Sequence, residues 1–372
     1  MTITDDPHTT PATPGDPAAG GPDHERIGAF IGQLLGWYTG AATTALVDIG
    51  TRAGLFDALA AGPATSAELA ARAGLSERHV REWLGGMTVS GVVDHDPASG
   101  RFTFPLEHAL CLTGDSSANI APMARGVTMI AEFVPAVVRT LEEGGGIPYA
   151  AYRPDFTELQ DSLNRRTYDE LLVDGYLPVV PGLLDRLRAG ITVADVGCGT
   201  GHVINLLARA FPASTFVGYD LGEDAIEAAR AEAVAYGVAN ATFEVRDVAS
   251  LPPAARFDLV TAFDAIHDQA RPRQVLAEIR RVVADDGVFL MIDMNLSSHL
   301  EQNVGNPIAP WVYTVSLVHC MQVSLAEGGE GLGATWGREL ATDLLTEAGF
   351  GSVTLADAPP QDPVNAIFVA RP

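Results

Sequence analysis

The amino-acid sequence predicts an α/β protein, in which a parallel β-sheet covered by helices follows a smaller helical domain. The first observation behind this prediction is that apolar strand-like segments alternate with helical segments from residue 190 onward. Continuous apolar strands separated by helices indicate a parallel sheet that is buried on both faces. The second observation is a helix–turn–helix pattern followed by two short strands within residues 65–104, which is typical of a winged helix.

The bulk composition narrows the possible partners. The chain has 372 residues, of which 47% are hydrophobic, so it can form two or three domains with substantial cores. Its 47 acidic and 23 basic side chains give a net charge of −24, which repels phosphate backbones and anionic membranes and predicts neither a nucleic-acid nor a membrane partner. The three cysteines, Cys111, Cys198 and Cys320, share no close spacing, which predicts reduced thiols in the cytoplasm rather than disulfides or a zinc site.

The N-terminal region is expected to contain a tail and then helices. Residues 1–23 are rich in Pro, Ala, Thr and Gly and lack the features of a signal peptide, which predicts a disordered tail. No stretch approaches the ~18 continuous apolar residues of a membrane span. Residues 24–59 carry apolar side chains at helical spacing, and three glycines favour two helices over one: Gly36, Gly40 and Gly50. The side chains of Phe30, Trp37 and Tyr38 favour core packing, with a dimer interface as the alternative.

Residues 65–104 carry the winged-helix pattern. Thr65 caps a first helix, and a second helix follows the break at Gly74. Residues 89–95 and 101–104 predict the two strands of the wing. The second helix mixes acidic and basic side chains instead of forming a basic stripe, so the domain is predicted to be structural or dimerising rather than DNA-binding.

These patterns divide the chain after the predicted tail into three regions. Residues 24–115 form the helical and winged-helix domain, residues 116–185 a helical connector that caps the next domain, and residues 186–372 the α/β domain. The predicted strands of the α/β domain are residues 191–196, 215–219, 241–245, 257–263, 288–294, 352–355 and 366–370. The predicted helices between them are residues 202–210, 223–236, 273–283 and 336–348.

A glycine-rich loop follows the first strand of the α/β domain. This strand ends at Asp195, and Gly197, Gly199 and Gly201 then alternate before a helix begins. Such glycines let the backbone turn sharply and approach a ligand closely. A dinucleotide-binding loop has glycine at the sixth position, where this sequence has His202. A carboxylate beside the loop also repels a pyrophosphate and suits a cationic ligand, so the loop disfavours an NAD-dependent oxidoreductase.

Two further carboxylates follow the next two strands. Asp220 lies about twenty residues beyond the loop, where a carboxylate can accept both ribose hydroxyls. Asp247 is placed to accept a hydrogen bond from an adenine amino group. Each residue alone is equally consistent with a helix cap or a turn. Because ligands of open α/β sheets bind at the carboxyl ends of the strands, their joint placement favours a nucleoside-containing ligand.

The loop, these carboxylates and residues 257–268 together resemble the class I S-adenosylmethionine-dependent methyltransferases, over residues 183–371. With the winged helix included, the chain resembles dimeric small-molecule O-methyltransferases. The resemblance implies a Rossmann-like, seven-stranded sheet with its last strand antiparallel, S-adenosylmethionine as methyl donor, a small-molecule acceptor and a homodimer. It also implies a set of cofactor-binding residues: Asp195, Gly197, Cys198, Gly199, Gly201, Asp220, Leu221, Asp247, Val248 and Phe263.

His267 and Asp268 follow the fourth strand, where similar plant-type enzymes carry a His-Asp or His-Asn pair whose histidine is the base. A pKa near neutrality suits a group that deprotonates the acceptor. The resemblance thus implies O-methylation with His267 as general base and Asp268 either beside it or capping the next helix. Gln269 stands where the family usually has an aromatic residue, and Asp293 only partly matches the acidic residues that orient the base. A structural or substrate-positioning histidine, and methylation of carbon, nitrogen or sulfur, therefore stay open.

The acceptor side is expected around residues 313–336, where the family places its pocket. The predicted substrate residues are Tyr168, Trp311, Tyr313, His319, Met321 and Trp336. His319 and Cys320 are adjacent and seldom give tetrahedral geometry, so no metal is predicted. A winged-helix regulator that senses S-adenosylmethionine without catalysis is the alternative from another class, and the mixed-charge helix and His267 argue against it.

Overall fold

The computed structural model describes residues 21–372, so the predicted tail over residues 1–23 lies almost entirely outside the described residues. The first domain contains five helices and a hairpin. Its elements are α1 (His24–Arg52), α2 (Leu55–Ala60), α3 (Ser66–Ala73), α4 (Glu77–Val89), β1 (Asp94–Asp96), β2 (Arg101–Thr103) and α5 (Leu106–Leu112). Within residues 21–372, no helix combines the length and apolarity needed to cross a bilayer.

The winged helix forms as predicted, with one boundary changed. Thr65 and Glu68 cap each other's backbone at the start of α3, and Arg101 of the wing lies 2.8 Å from Glu68, which ties the hairpin to α3. The first wing strand is shorter than the predicted residues 89–95, because α4 continues to Val89 and the strand begins only at Asp94. Side chains at helical spacing hold this extension of α4 against the core: Val80, Trp83, Leu84 and Met87.

Helix α1 divides at a different place from the one predicted. It runs unbroken through Gly36, Gly40 and Gly50, and the chain turns into α2 at Gly54, whose φ is 66°. Gly50 allows close packing instead of a break, because a β-carbon there would lie 2.5 Å from the ring of Trp83. A glycine inside a helix therefore need not end it when a large neighbour occupies the space.

The prediction that the aromatic side chains of α1 pack in the core is wrong for this chain. Phe30, Trp37 and Tyr38 are 53%, 56% and 64% exposed. Burial on α1 starts near residue 43, where the helix meets α2 and α4, so the preceding turns have no apolar cover from residues 21–372. This exposed face comprises Ile27, Phe30, Ile31, Leu35, Trp37 and Tyr38.

Three helices connect the winged helix to the sheet. They are α6 (Pro122–Glu143), α7 (Asp155–Leu171) and α8 (Leu183–Ala189). A π-helical turn over Leu172–Tyr176 extends α7 into the sheet domain, where Leu172 and Tyr176 are fully buried. Helix α7 is thereby anchored in the core of the sheet domain at its C-terminal end.

The α/β domain has seven strands. They are β3 (Thr192–Val196), β4 (Thr215–Asp220), β5 (Ala241–Val245), β6 (Phe257–Phe263), β7 (Val283–Met294), β8 (Ser352–Ala356) and β9 (Asn365–Arg371). Their order is β5-β4-β3-β6-β7-β9-β8, and β9 alone runs antiparallel to its neighbours. Strand β7 begins five residues before the predicted residue 288, because Val283 pairs with Phe257. The predicted fold class is confirmed.

Helices cover both faces of the sheet. The remaining helices are α9 (His202–Ala210), α10 (Glu223–Tyr236), α11 (Pro272–Val282), α12 (Leu300–Asn303), α13 (Ala309–Val315), α14 (Met321–Ala326) and α15 (Gly337–Glu347). Helices α8, α9 and α10 contribute to the core on one face, and α11 and α15 to the core on the other. The strand order reverses between β3 and β6, so a crevice opens at the carboxyl ends of these strands.

Candidate active site

The glycine loop joins β3 to α9 at this crevice. Gly197, Gly199 and Gly201 have φ values of 72°, 52° and 72°, which favour glycine. A β-carbon on Gly201 would lie 2.5 Å from the β-carbon of Ala229, so this glycine lets the loop pack against α10. A β-carbon on Gly199 would meet no atom within 4 Å, so its backbone faces open space. The loop is thus closely packed at its end and accessible at its centre.

A cavity of about 700 Å³ lies in front of this loop. Nine of the ten predicted cofactor-binding residues line it: Asp195, Gly197, Cys198, Gly199, Asp220, Leu221, Asp247, Val248 and Phe263. Gly201, the tenth, lies behind the loop against α10. Residues from α7, among them Gln160, Asn164 and Tyr168, form the opposite wall. We call this space the cofactor cavity.

Asp220 and Asp247 stabilise the backbone around the cofactor cavity. Asp220 accepts hydrogen bonds from the backbone N–H groups of Gly199 at 2.9 Å and Gly222 at 2.7 Å. Asp247 accepts one from Ala249 at 2.9 Å and pairs with Arg271 at 3.0 Å. A carboxylate has about four acceptor positions, so both groups retain capacity for a ligand. The turn-residue interpretation and the ligand-binding interpretation are therefore compatible.

The charges around the cofactor cavity suit a cationic ligand without phosphates. Asp195 is 2% exposed and accepts a hydrogen bond from the Thr261 hydroxyl at 2.6 Å, and burial raises the pKa of its carboxyl to about 7. Every arginine in the described lining is already paired with a carboxylate, so none is free for a pyrophosphate. The pairs are Arg153–Asp224, Arg165–Glu232, Arg246–Glu244 and Arg271–Asp247.

A second cavity, of about 270 Å³, adjoins the first. The two cavities share part of their walls, and the shared residues are Phe156, Gln160, Asn164, Tyr168, Asp264 and His319. Helices α6, α7 and α13 supply most of the apolar lining of the second cavity, and His267 lines it as well. We call this space the acceptor cavity.

His267 is held by a buried carboxylate. Its Nδ1 lies 2.9 Å from both carboxylate oxygens of Asp293, and the two residues are 3% and 1% exposed. Because an ionised carboxylate only accepts hydrogen bonds, Nδ1 carries a proton and donates it. Asp293 also accepts from the indole Nε1 of Trp336 at 3.1 Å and from the backbone of Met294 at 2.8 Å. Asp293, which matches the base-orienting acidic residues of the family only partly in sequence, thus contacts His267 directly.

The other ring nitrogen of His267 faces Asp268, with 3.4 Å between Nε2 and Oδ1. Burial opposes the charged imidazolium, but the carboxylates of Asp293 and Asp268 outweigh it and raise the pKa of His267 well above its usual value. His267 is therefore a strong base that binds a proton readily. The sequence alternative in which Asp268 contacts His267 agrees with this geometry.

The predicted substrate residues divide into two groups. Tyr168, Trp311 and His319 line the acceptor cavity. Tyr313, Met321 and Trp336 lie outside its described lining. Trp336 is directed at Asp293 instead, and the hydroxyl of Tyr313 accepts a hydrogen bond from Asn303 at 3.3 Å. Tyr313 lies on α13 and Met321 on α14, and the helical period turns only one side of each helix toward the cavity, which the predicted segment alone did not specify.

His319 is an apolar wall residue in its present environment. Its ring stacks on Phe156 with centroids 3.5 Å apart and meets the edge of Tyr152 at 4.7 Å. Burial lowers the pKa of His319 to about 4, so the ring is neutral. Neither ring nitrogen has a hydrogen-bond partner among the described residues. His319 is thus available to a ligand but is a weaker base than His267.

One residue of the shared wall escaped the sequence analysis. Asp264 follows β6 directly and lies within the segment that carries His267, but no role was predicted for it. Its placement at a strand end was the available signal. A metal site was also not predicted, although ligand atoms of His267, Asp268 and Cys320 lie within 4.8 Å of one another.

Family comparisons agree with this architecture. A family model described as a methyltransferase domain matches residues 187–333, and one described as an Rv2258c-like winged HTH domain matches residues 41–114. Nocamycin O-methyltransferase of Saccharothrix syringae is 39% identical over 99 residues, which cover 26% of this chain and 35% of that protein. The matched part spans less than half the length of this and two other curated methyltransferases.

Solved structures match over nearly the whole chain. An O-methyltransferase family protein from Burkholderia thailandensis has a TM-score of 0.69 at 17% identity, covering 92% of this chain and 97% of that chain. Human N-acetylserotonin methyltransferase in complex with SAM has a TM-score of 0.69 at 16% identity, covering 95% and 99%. These likenesses show a shared fold, and the family models confirm a winged-helix domain followed by a methyltransferase domain.

Proposed function

We propose that this chain, which carries a methyltransferase domain behind a winged-helix domain, is an S-adenosylmethionine-dependent O-methyltransferase of small molecules. The observation that carries the proposal is the His267–Asp293 pair in the wall of a cavity that adjoins the glycine loop. A buried histidine with one nitrogen fixed by a carboxylate is the arrangement that a general base needs. The related enzymes that bear O-methyltransferase names support the same reaction class.

S-adenosylmethionine suits the cofactor cavity. When bound, it supplies an electrophilic methyl group on a sulfonium. The accessible backbone at Gly199 is the proposed contact for the methionine part, Asp220 for the ribose hydroxyls, and Asp247 with Val248 for the adenine. The nearby carboxylates of Asp195 and Asp220 favour a cation over a phosphate.

The residues of the acceptor cavity bind the acceptor and move one proton. Methyl transfer needs the acceptor oxygen in line with the methyl group at about 3 Å, and the shared wall of the two cavities is where such alignment is possible. Nε2 of His267 takes the hydroxyl proton as the acceptor attacks. Asp293 keeps Nδ1 protonated, which leaves Nε2 as the acceptor of that proton, and it stabilises the imidazolium that forms.

We also propose that two copies associate through the exposed apolar face of α1. Five of its side chains are more than half exposed: Phe30, Ile31, Leu35, Trp37 and Tyr38. A contiguous apolar face of this kind is typical of a subunit interface. The winged helix then serves as a dimerisation domain rather than as a reader of DNA.

The test of the base is His267→Ala. We expect turnover to fall by about 100- to 10,000-fold, the usual contribution of a general base. Turnover is measured as S-adenosylhomocysteine release over a panel of phenols and carboxylic acids, and S-adenosylhomocysteine affinity by calorimetry is expected to be unchanged. His79→Ala, an exposed histidine of α4, is the matched control. Unchanged turnover in His267→Ala would exclude the catalytic role.

The test of the cofactor is a comparison of melting temperatures. S-adenosylhomocysteine is expected to raise the melting temperature of the chain and NAD is not, because only a ligand of the folded state stabilises it. Stabilisation by NAD, with no effect of S-adenosylhomocysteine, would replace the methyltransferase proposal with a dinucleotide-binding one.

A further inference from the structure

Asp264 is an unusual residue at the junction of the two cavities. Its φ is 49°, and among residues 21–372 it is the only residue other than glycine with a positive φ. Left-handed backbone costs an L-residue roughly 1–2 kcal/mol, and aspartate is one of the few side chains that visit it. The backbone N–H of Asp264 donates to the carbonyl of Ile292 at 2.9 Å, which fixes the turn after β6. The strained turn places this carboxyl group in the walls of both cavities.

The carboxyl group of Asp264 has an oxygen without a partner. Its Oδ1 is buried and has no hydrogen-bond partner among the described residues. Two neighbouring carboxylates are engaged: Asp293 holds His267, and Asp362 accepts from the hydroxyl of Tyr176 at 2.5 Å and from Asn365 at 2.9 Å. Asp268 also has an oxygen without a hydrogen-bond partner among the described residues, but it lines the cofactor cavity and not the acceptor cavity. Leaving a buried oxygen without a hydrogen-bond donor is unfavourable, and a ligand that supplies a donor removes that cost.

The charges around Asp264 favour a donor as its partner. Burial, and next the charge of Asp293 on β7, raise the pKa of Asp264 to about 8, while His267 opposes this shift. The other acidic groups facing it are Asp268 on the same loop and Asp362 between β8 and β9. The hydroxyl groups of Tyr168 and Tyr176 also face it. An N–H or O–H group relieves this accumulation of carboxyl groups, whereas an acceptor carboxylate adds to it.

The other residues that line the acceptor cavity indicate the chemical character of the rest of the acceptor molecule. It is largely apolar and includes Met129, Phe133, Leu159, Leu163, Trp311 and Val312. Arg166 is the one lysine or arginine in the described lining, and it donates to the carbonyls of Gly114 and Ser162. Arg166 pairs with no carboxylate among the described residues, so an acceptor carboxylate is disfavoured at Asp264 by the neighbouring carboxyl groups and not by a lack of cations.

Asp264 and His267 are close enough to contact one compact molecule. Their α-carbons are three peptide units apart, which limits the separation to about 11 Å. Both line the acceptor cavity. The charge of His267 also acts on Asp264, so the two side chains face the same space and a ring system with two polar substituents can contact both.

We propose that Asp264 binds a second hydrogen-bond donor of the acceptor, so that the site selects apolar aromatic molecules with a hydroxyl or amino group beside the hydroxyl that is methylated. This inference rests on the proposed O-methyltransferase function. It assigns Asp264 a role in specificity and disfavours the carboxylate of a fatty acid as the methylated group.

The test uses four naphthalene probes on the full chain loaded with S-adenosylhomocysteine. They are 2-naphthol, 2,3-dihydroxynaphthalene, 3-amino-2-naphthol and 2-naphthoic acid, and affinity is measured by calorimetry under argon. The raised pKa of Asp264 leaves its carboxyl group largely neutral near pH 7, and a neutral hydrogen bond is worth about 0.5–1.5 kcal/mol, so the diol is expected to bind about 2- to 13-fold more tightly than 2-naphthol. The aminonaphthol distinguishes a nitrogen donor from an oxygen donor, and 2-naphthoic acid is expected to bind most weakly.

Two variants test whether the carboxyl group of Asp264 causes the preference for the diol. Asp264→Gly removes it and relaxes the positive φ, and Asp264→Asn keeps its shape but replaces the carboxyl group with an amide. We expect the preference for the diol over 2-naphthol to disappear in Asp264→Gly and to shrink in Asp264→Asn. Circular dichroism and S-adenosylhomocysteine binding confirm that each variant is folded.

Several outcomes would overturn the inference. A diol preference that persists in Asp264→Gly would remove the residue from acceptor binding. Tighter binding of 2-naphthoic acid, or no binding by any of the four probes, would refute the acceptor class. If wild-type protein fails to bind S-adenosylhomocysteine, the proposed function itself fails, so the two failures are distinguishable.

Discussion

Asp293→Asn isolates what the buried carboxylate does for His267. The substitution keeps the shape of the side chain and an oxygen that can accept the Nδ1 proton, but it removes the negative charge. In the native chain both oxygens of Asp293 lie 2.9 Å from Nδ1, and Trp336 and Met294 donate to the same group. The charge is therefore the main quantity that changes.

The size of the effect follows from this contact. A hydrogen bond to a charged group contributes about 1.5–3 kcal/mol. If that stabilisation applies to the imidazolium of the transition state, its loss lowers kcat by about 10- to 150-fold, since about 1.4 kcal/mol is tenfold in rate. The loss is smaller than for His267→Ala, because the base itself remains.

The pH dependence of kcat is expected to shift in a definite direction in this variant. His267 must be neutral to take a proton, and its raised pKa places the rise of kcat with pH above the usual range for histidine. Asp293→Asn removes a main cause of that rise, so the acidic limb of the profile is expected to move to lower pH while the plateau falls. The assay is S-adenosylhomocysteine release under saturating donor, from mildly acidic to alkaline pH.

The stability of the variant changes with pH in a related way. Because the folded-state pKa of His267 exceeds the unfolded value near 6.5, the ion pair stabilises the chain below that pH, and this stabilisation is lost as pH rises through the folded pKa. Asp293→Asn should therefore destabilise the chain more at acidic than at alkaline pH. A limb that stays in place or moves to higher pH, with kcat nearly unchanged, would refute the assignment of His267 as a base held by Asp293.

Two further predictions concern the cofactor loop and the exposed helix. Gly201→Ala and Gly199→Ala both place a side chain on left-handed backbone, so both are expected to lower the melting temperature. Gly201→Ala also brings a β-carbon to 2.5 Å from a side chain of α10 and should lower it further, whereas Gly199→Ala meets open space and should weaken S-adenosylhomocysteine binding more. Comparing the melting temperature and the binding affinity of both variants separates packing from ligand contact. Trp37→Lys in the exposed face of α1 is expected to convert dimers to monomers, as measured by sedimentation velocity. Glu25→Lys at the start of α1 is the control. A native chain that sediments as a monomer would contradict the dimer proposal.

Local patterns made much of the fold predictable. The helices over residues 202–210 and 223–236 and the strands over residues 241–245 and 257–263 have the bounds that apolar periodicity predicted. The glycine loop was also predictable, because its function depends on the order of residues along the chain. These features share one property: each is determined by neighbours within about one element.

The acceptor side was less predictable because it depends on contacts between distant parts of the chain. Trp336 was assigned to the substrate on the basis of its segment, but it lies 43 positions from Asp293 and donates to it. The exposure of Trp37 depends on what covers α1, and apolar spacing cannot specify that. Asp264 was overlooked because a single aspartate after a strand has many structural explanations.

His202 shows how a departure from a sequence motif acquires a structural meaning. It disfavoured a dinucleotide-binding loop because glycine was absent from the sixth position. In the folded chain its Nε2 donates to Asp169 of α7 at 3.0 Å, and Arg165 of α7 lies 2.7 Å from its Nδ1. Thr200 of the loop donates to Asp161, also on α7, at 2.7 Å. Glycine at this position would remove the side chain that connects α7 to the end of the loop. His202 therefore has two roles: it distinguishes this loop from a dinucleotide-binding loop, and it holds α7 in place. Helix α7 in turn contributes to the wall that both cavities share.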